Sequence, residues 1–227
     1  MPTAAVLQQH SLWGDCPLQT RPVLTPPLRL DDTSVVLHQS DWLVGADGAF
    51  GELERSVAWQ HVSRPMYDRV VDVPRLVATI ERADLADGHA ASIIIDAVAE
   101  LLGAPIERVG ANLYRDGRDS VAWHRDRIGR ERDWSVIVLV SLGGPRTLQI
   151  RPWQGGAGAG RRRHFRLHSG DLFVMAGACQ RDWEHAVLKT ARAAPRISLA
   201  LRTQQFPQGP LLQHLEVTPL MARRKLQ

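Results

Sequence analysis

Arg196-Ile197-Ser198-Leu199-Ala200-Leu201-Arg202 alternates between large apolar residues and polar or small ones. That is the period of a β-strand. Ile197, Leu199 and Leu201 fall on one face, and Arg196, Ser198, Ala200 and Arg202 on the other. An arginine turned into a protein interior needs a carboxylate, from the chain or from a ligand. A bound dicarboxylate satisfies two guanidiniums at once. A solvated edge strand needs no such partner, but the small residues between the arginines favour a ligand cavity.

Outward from this strand, the second half of the chain reads as further short strands bounded by turn residues. Val109 to Tyr114, Ser135 to Leu142, Thr147 to Arg151, His164 to His168 and Asp171 to Met175 all fit. Asn112 and Tyr114 share one strand face and offer two more polar groups to a carboxylate. Before residue 106 the pattern is mixed. Ser34 to His38 reads as a strand, residues 46–58 as a helix, and Asp72 to Leu76 as extended because Pro74 disfavours helix. Residues 89–103 form the clearest helix, with Ile93, Ile94, Ala97, Val98, Leu101 and Leu102 in a stripe that ends at Gly103. Residues 1–32 carry four prolines beyond Pro2 and little periodicity, which reads as an extended arm. The fold class expected is mainly β with flanking helices, a sandwich or jelly roll.

The 227 residues are 44% hydrophobic, enough for one normal core. No apolar run is long enough for a membrane helix, and Met1 to Val6 does not read as a leader. Two cysteines, Cys16 and Cys179, argue against a disulfide framework and a Cys-rich zinc site, and fit a cytoplasmic location. Charge is unevenly spread. Residues 1–110 hold 8 Lys+Arg against 15 Asp+Glu, and residues 111–227 hold 20 against 9. A basic half of net +11 suits an anionic partner, of which nucleic acid is the commonest large one. A solvated Arg-rich surface explains it equally well.

Trp123-His124-Arg125-Asp126 places a histidine and an aspartate two apart, on one face if the segment is a strand. His185 follows in an apolar stretch with Trp183. Two histidines and a carboxylate can bind one face of Fe(II), leaving the other open to a cosubstrate and O₂. The two-residue spacing alone is weak: His214-Leu215-Glu216 repeats it. His164 and His168 compete with His185, but their Arg-rich strand better suits a cationic surface.

Taken in order, Asn112-Leu113-Tyr114-Arg115-Asp116-Gly117, Asp119, Trp123-His124-Arg125-Asp126, Ser141-Leu142-Gly143, Gly170-Asp171-Leu172, Trp183-Glu184-His185 and Arg196 to Arg202 resemble the AlkB family of Fe(II)- and 2-oxoglutarate-dependent dioxygenases. The resemblance covers about residues 106–203 and is loose over residues 1–100. It implies a double-stranded β-helix (jelly-roll) core with an N-terminal α/β extension. It implies Fe(II) on His124, Asp126 and His185, and 2-oxoglutarate held by Arg196 at its distal carboxylate. Arg202, Asn112, Tyr114 and Ser198 would line the rest of that pocket. The division expected is an arm at 1–32, an extension with a substrate lid at 33–105, the dioxygenase core at 106–205 and a tail at 206–227.

In that family the chemistry oxidatively demethylates N-alkylated bases in DNA or RNA, single strands included, as direct-reversal DNA repair. A monomer is expected. Substrate contacts are expected from Trp59, Met66 and Tyr67 in the lid region. Arg115, Arg118, Arg125, Arg127, Arg130 and the run Arg161 to Arg163 are the candidate phosphate grips. Ile128 stands where many family members carry an acidic residue against the target base, and Ser198 where Asn is frequent. The first departure leaves the base preference open. The other readings are a dioxygenase of the same chemistry acting on a protein or small molecule, and a non-catalytic nucleic-acid-binding domain.

Overall fold

The computed structural model describes residues 17–66, 69–127, 132–154 and 161–216, without the side chains of residues 64–71. In chain order the elements are β1 (Gln19–Thr20), β2 (Leu28–Arg29), β3 (Ser34–Gln39), β4 (Leu43–Val44), α1 (Ala46–Ser56), β5 (Gln60–Met66), β6 (Arg69–Glu81) and α2 (Ala90–Leu102). Then come β7 (Arg108–Tyr114), β8 (Val121–His124), β9 (Ser135–Gly143), β10 (Arg146–Pro152), β11 (Arg163–Leu167), β12 (Leu172–Gly177), α3 (Cys179–Asp182), β13 (Trp183–Val187), β14 (Arg196–Leu201) and α4 (Pro210–Leu215).

An eight-stranded major sheet runs β2-β3-β12-β9-β14-β7-β6-β5, and a four-stranded minor sheet runs β11-β10-β13-β8. All the pairings are antiparallel. The expected jelly roll is therefore present. The major sheet takes strands from both sides of residue 106. Residues 17–32, part of the expected arm, join it: β2 pairs with β3, and Asp31 accepts a hydrogen bond from the Trp183 indole at 2.7 Å. The long β5–β6 hairpin exceeds the short extended stretch expected at Asp72 to Leu76.

Two apolar layers explain the alternation. Ile197, Leu199 and Leu201 of β14, with Val136, Val138 and Val140 of β9, pack against Leu53 of α1 and Ile94, Ile95 and Val98 of α2. The opposite faces of these strands, Ala200 with Ile137 and Leu139, meet Leu148, Ile150, Phe173 and Trp183 between the two sheets. Strands covered on both sides read as near-continuous apolar runs, which is why Ser135 to Leu142 lacks a polar face. Helix α2 starts where His89 accepts from the Ala91 amide and ends at Gly103, φ 61°. A Cβ there would also strike the backbone of Gly209, so glycine is required twice over.

Candidate metal centre and cosubstrate pocket

The minor sheet builds the metal centre. Register pairs His185 of β13 with His124 of β8, so both rings face into the jelly roll, 4.2 Å apart between centroids. His124 Nδ1 lies 2.9 Å from the Ala122 carbonyl oxygen. A carbonyl only accepts, so Nδ1 carries a proton and Nε2 is the ring nitrogen turned toward the cluster. Asp126 is not on the strand, as the two-residue spacing suggested. β8 ends at His124, and the Asp126 amide is anchored instead by Gln180 Oε1 at 2.9 Å. Its Oδ1 then lies 3.4 Å from His124 Nε2 and 3.9 Å from His185 Nε2.

One donor atom from each of these three residues falls within 4.8 Å of the others. Burial, reinforced by neighbouring His124, pushes His185 down to about 3, so its imidazole is neutral and free to ligate. Burial works against ionising Asp126, but the His124 hydrogen bond and the Arg202 charge win and hold it well below the usual carboxylate range. A neutral His185 imidazole beside an ionised Asp126 carboxylate is in the protonation state a divalent cation needs. His164 is exposed, on β11, and the His214 ring is spent on the Thr25 carbonyl oxygen, so neither joins this cluster.

Arg196 opens β14, and Arg202 follows its last residue. Arg202 Nη2 sits 3.1 Å from Asp126 Oδ2, at the metal end. Arg196 is 1% exposed at the other end. Its Nη2 donates to Ser141 Oγ at 2.7 Å, while its buried Nε and Nη1 have no partner among the described residues. Burial lowers the Arg196 pKa, yet a guanidinium stays protonated, so the site is a cation short of an anion. The donor set fits a dicarboxylate entering from the metal side. Register places Tyr114 opposite Arg196 and Asn112 opposite Ser198, so four of the five expected cosubstrate residues adjoin one another.

Three supporting residues had no role assigned from the sequence, although Ser141 lies in the Ser141-Leu142-Gly143 motif. Ser141, on the other neighbour of β14, accepts a hydrogen bond from Arg196. Arg75 of β6 donates through Nε to Asn112 Oδ1 at 2.6 Å and fixes that amide. Arg146 is 3% exposed and donates to the carbonyl oxygens of Asp116, Asp119 and Leu188. Its guanidinium lies 5.3 Å from the Tyr114 ring, which Arg196 approaches to 5.4 Å. No motif spacing flags Arg75 or Arg146, because each acts across segments distant in sequence.

The expected substrate residues are less collected. Trp59 packs on the helix-side core and donates its indole N–H to the Glu54 carbonyl oxygen, so it lies apart from the metal cavity. The guanidinium of Arg115 is taken by Asp119 and that of Arg118 by Asp116. Arg125 stacks on Trp153, and Arg127 and Arg161 are exposed. Tyr67, Ile128, Arg130 and the side chain of Met66 lie outside the described residues. A groove of about 1080 Å³ runs beside α1 past Arg21, Asp47, Glu52 and Arg55 and includes none of these residues.

Residues 23–204 match the family model described as the 2OG-Fe(II) oxygenase superfamily. A cattle (Bos taurus) protein named alpha-ketoglutarate-dependent dioxygenase alkB homolog 3 is 30% identical over 175 residues, 70% of this chain and 61% of that protein. An Arabidopsis thaliana protein named DNA oxidative demethylase ALKBH2 is 32% identical over 130 residues, 48% of this chain and 41% of that one. The chain thus spans less than two thirds of either relative. A Pseudomonas putida prolyl-4-hydroxylase shares the fold, with TM-score 0.51 and 15% identity over 75% of this chain and 93% of that one. Among the described residues no helix is long and apolar enough to cross a membrane.

Proposed function

Since the chain belongs to the 2OG-Fe(II) oxygenase superfamily and is AlkB-like, we propose that it oxidatively demethylates N-alkylated bases in DNA or RNA. Its cofactors are those of that family, Fe(II) and 2-oxoglutarate. The observation that carries the reading is the pairing of an inward His124–Asp126–His185 cluster with a buried Arg196 that lacks an anion. A relative named DNA oxidative demethylase and the net +11 of residues 111–227 support directing that chemistry to a nucleic acid.

With iron, O₂ and 2-oxoglutarate bound, the group supplies oxidation of an N-alkyl carbon, whose hydroxylated product collapses to an aldehyde and the repaired base. The residues of the chain do the rest. His124, Asp126 and His185 would hold the ion through three ligands and leave the opposite side open. Arg196, with Ser141 behind it, would take the distal carboxylate, while Tyr114, Asn112 and Ser198 wall the space between. Arg202 keeps Asp126 ionised and aimed. The side chain of His124 is 39% exposed and that of His185 only 9%, so the centre opens on the His124 side. A base must leave its stack to reach that opening, which favours single strands or flipped nucleotides.

The test is incubation with Fe(II), ascorbate and 2-oxoglutarate against N-methylated single- and double-stranded oligonucleotides, reading formaldehyde and restored bases. Release from either supports the assignment. Succinate formation without release from any oligonucleotide would move the substrate to a protein or small molecule. Absence of succinate formation as well would leave a non-catalytic domain.

A further inference from the structure

The alternation that turns His124 and His185 inward turns Trp123 and Glu184 outward, onto the exposed face of the minor sheet. Arg151 of β10 comes within 4.1 Å of the Trp123 ring centroid and Arg162 within 5.1 Å. Beside them Arg125 lies 3.5 Å over Trp153. Register places Arg166 of β11 opposite Thr147 of β10, on the same face as Arg151. The result is a row of guanidiniums interleaved with indoles, and it begins at the residue preceding a metal ligand.

This face is short of negative charge. Arg151 pairs with Glu184, and Arg181 is taken by Asp182 and Asp133. Arg161, Arg162, Arg163 and Arg166 are exposed and have no ion-pair partner among the described residues. Between β10 and β11 the sequence carries Arg161 and Arg162 and no acidic residue. A guanidinium stacked on an indole has its flat face covered and its N–H edges directed to solvent. Such edges are preset for phosphate oxygens, and partly exposed indoles offer stacking to bases. An acidic peptide would use the charge but not the rings.

We propose that this outer face, centred on Trp123, Trp153, Arg125, Arg151, Arg162 and Arg166, is a second nucleic-acid contact site. It holds the phosphodiester flank of the strand whose alkylated base occupies the metal cavity, and so rests on the function proposed above. β8 is the edge of the minor sheet, so a strand leaving the cavity crosses one edge to reach the face. Four strands span about 14 Å at the usual spacing. That equals about four stacked nucleotides at 3.4 Å each.

The experiment compares binding of a single-stranded trinucleotide and a 16-mer, each with one N-methylated base, by fluorescence anisotropy across a salt series. The proteins are the full chain and Arg162→Gln/Arg166→Gln, two exposed positions away from the metal ligands. For the 16-mer the double substitution should make the slope of log Kd against log salt shallower by about 1.4, from about 0.7 per phosphate contact. Trinucleotide binding should not change, and Arg162→Lys/Arg166→Lys should restore the slope. An unchanged 16-mer slope, with demethylation of the same oligonucleotide intact, would overturn the second site and leave the proposed function standing. Equal displacement of the 16-mer by poly-glutamate would also overturn it. A full chain that neither binds nor demethylates any oligonucleotide removes both.

Discussion

An arginine opens β14 and another follows its last residue, and their fates differ. Arg196 is sealed between the sheets, donating to Ser141, with Nε and Nη1 unpartnered among the described residues. The side chain of Arg202 is 32% exposed and reaches a carboxylate of the chain itself. Six residues apart on one face, they are equivalent by alternation. Burial separates them: one guanidinium demands an anion from outside, and the other steadies a metal ligand. A buried cation left incomplete is a statement about a ligand, whereas a completed ion pair is a statement about geometry.

The largest expected effect is at the metal end. Asp126→Ala removes the only carboxylate of the cluster and should lower metal affinity by more than the roughly 10–100-fold typical of losing an outer-shell partner. Mn(II) titration with circular dichroism checks this; near-native affinity would break the ligand assignment. Next, Arg196→Met should raise the 2-oxoglutarate requirement steeply, since charged hydrogen bonds are worth about 1.5–3 kcal/mol each. The same substitution should leave the Tm of the ligand-free protein unchanged or higher, because it removes an unpaired buried charge. A fall of several degrees would show that Arg196 is satisfied within the fold.

Arg146→Met provides the contrast in the same neighbourhood. Arg146 already satisfies three carbonyl oxygens, so its loss should destabilise the protein by about 1–3 kcal/mol in urea unfolding. An effect confined to cosubstrate affinity, with stability intact, would make Arg146 a ligand residue like Arg196. The smallest change is expected for Arg202→Met. Water reaches that pair and screens it, so metal affinity should fall only a few-fold, about what an exposed ion pair gives. A loss matching Asp126→Ala would show Arg202 to be as essential as a ligand.

The strands from Val109 to Leu201 and helix α2 were legible because their signal is local: alternation, a stripe, a terminating glycine. The β5–β6 hairpin was not, because Pro65 and Pro74 interrupt its pattern and its pairing is with itself and β7. The donor triad could be named from spacing and motif order, but the conformation of Asp126 could not. It depends on Gln180, 54 residues away. Trp59 carries the aromatic character of a lid residue, yet its side of the sheet is set by packing against α1 and the helix-side core.

The sequence by itself determined which residues alternate, which types could ligate a divalent cation, and that Arg196 and Arg202 would share a face. These follow from backbone periodicity, which needs no knowledge of neighbours. Only the tertiary structure decided that His185 pairs with His124, that Arg196 is buried without an anion, and that arginines and tryptophans interleave on the outside of the minor sheet. Those depend on strand register and on which face meets water, and both are fixed by contacts between segments far apart in the chain.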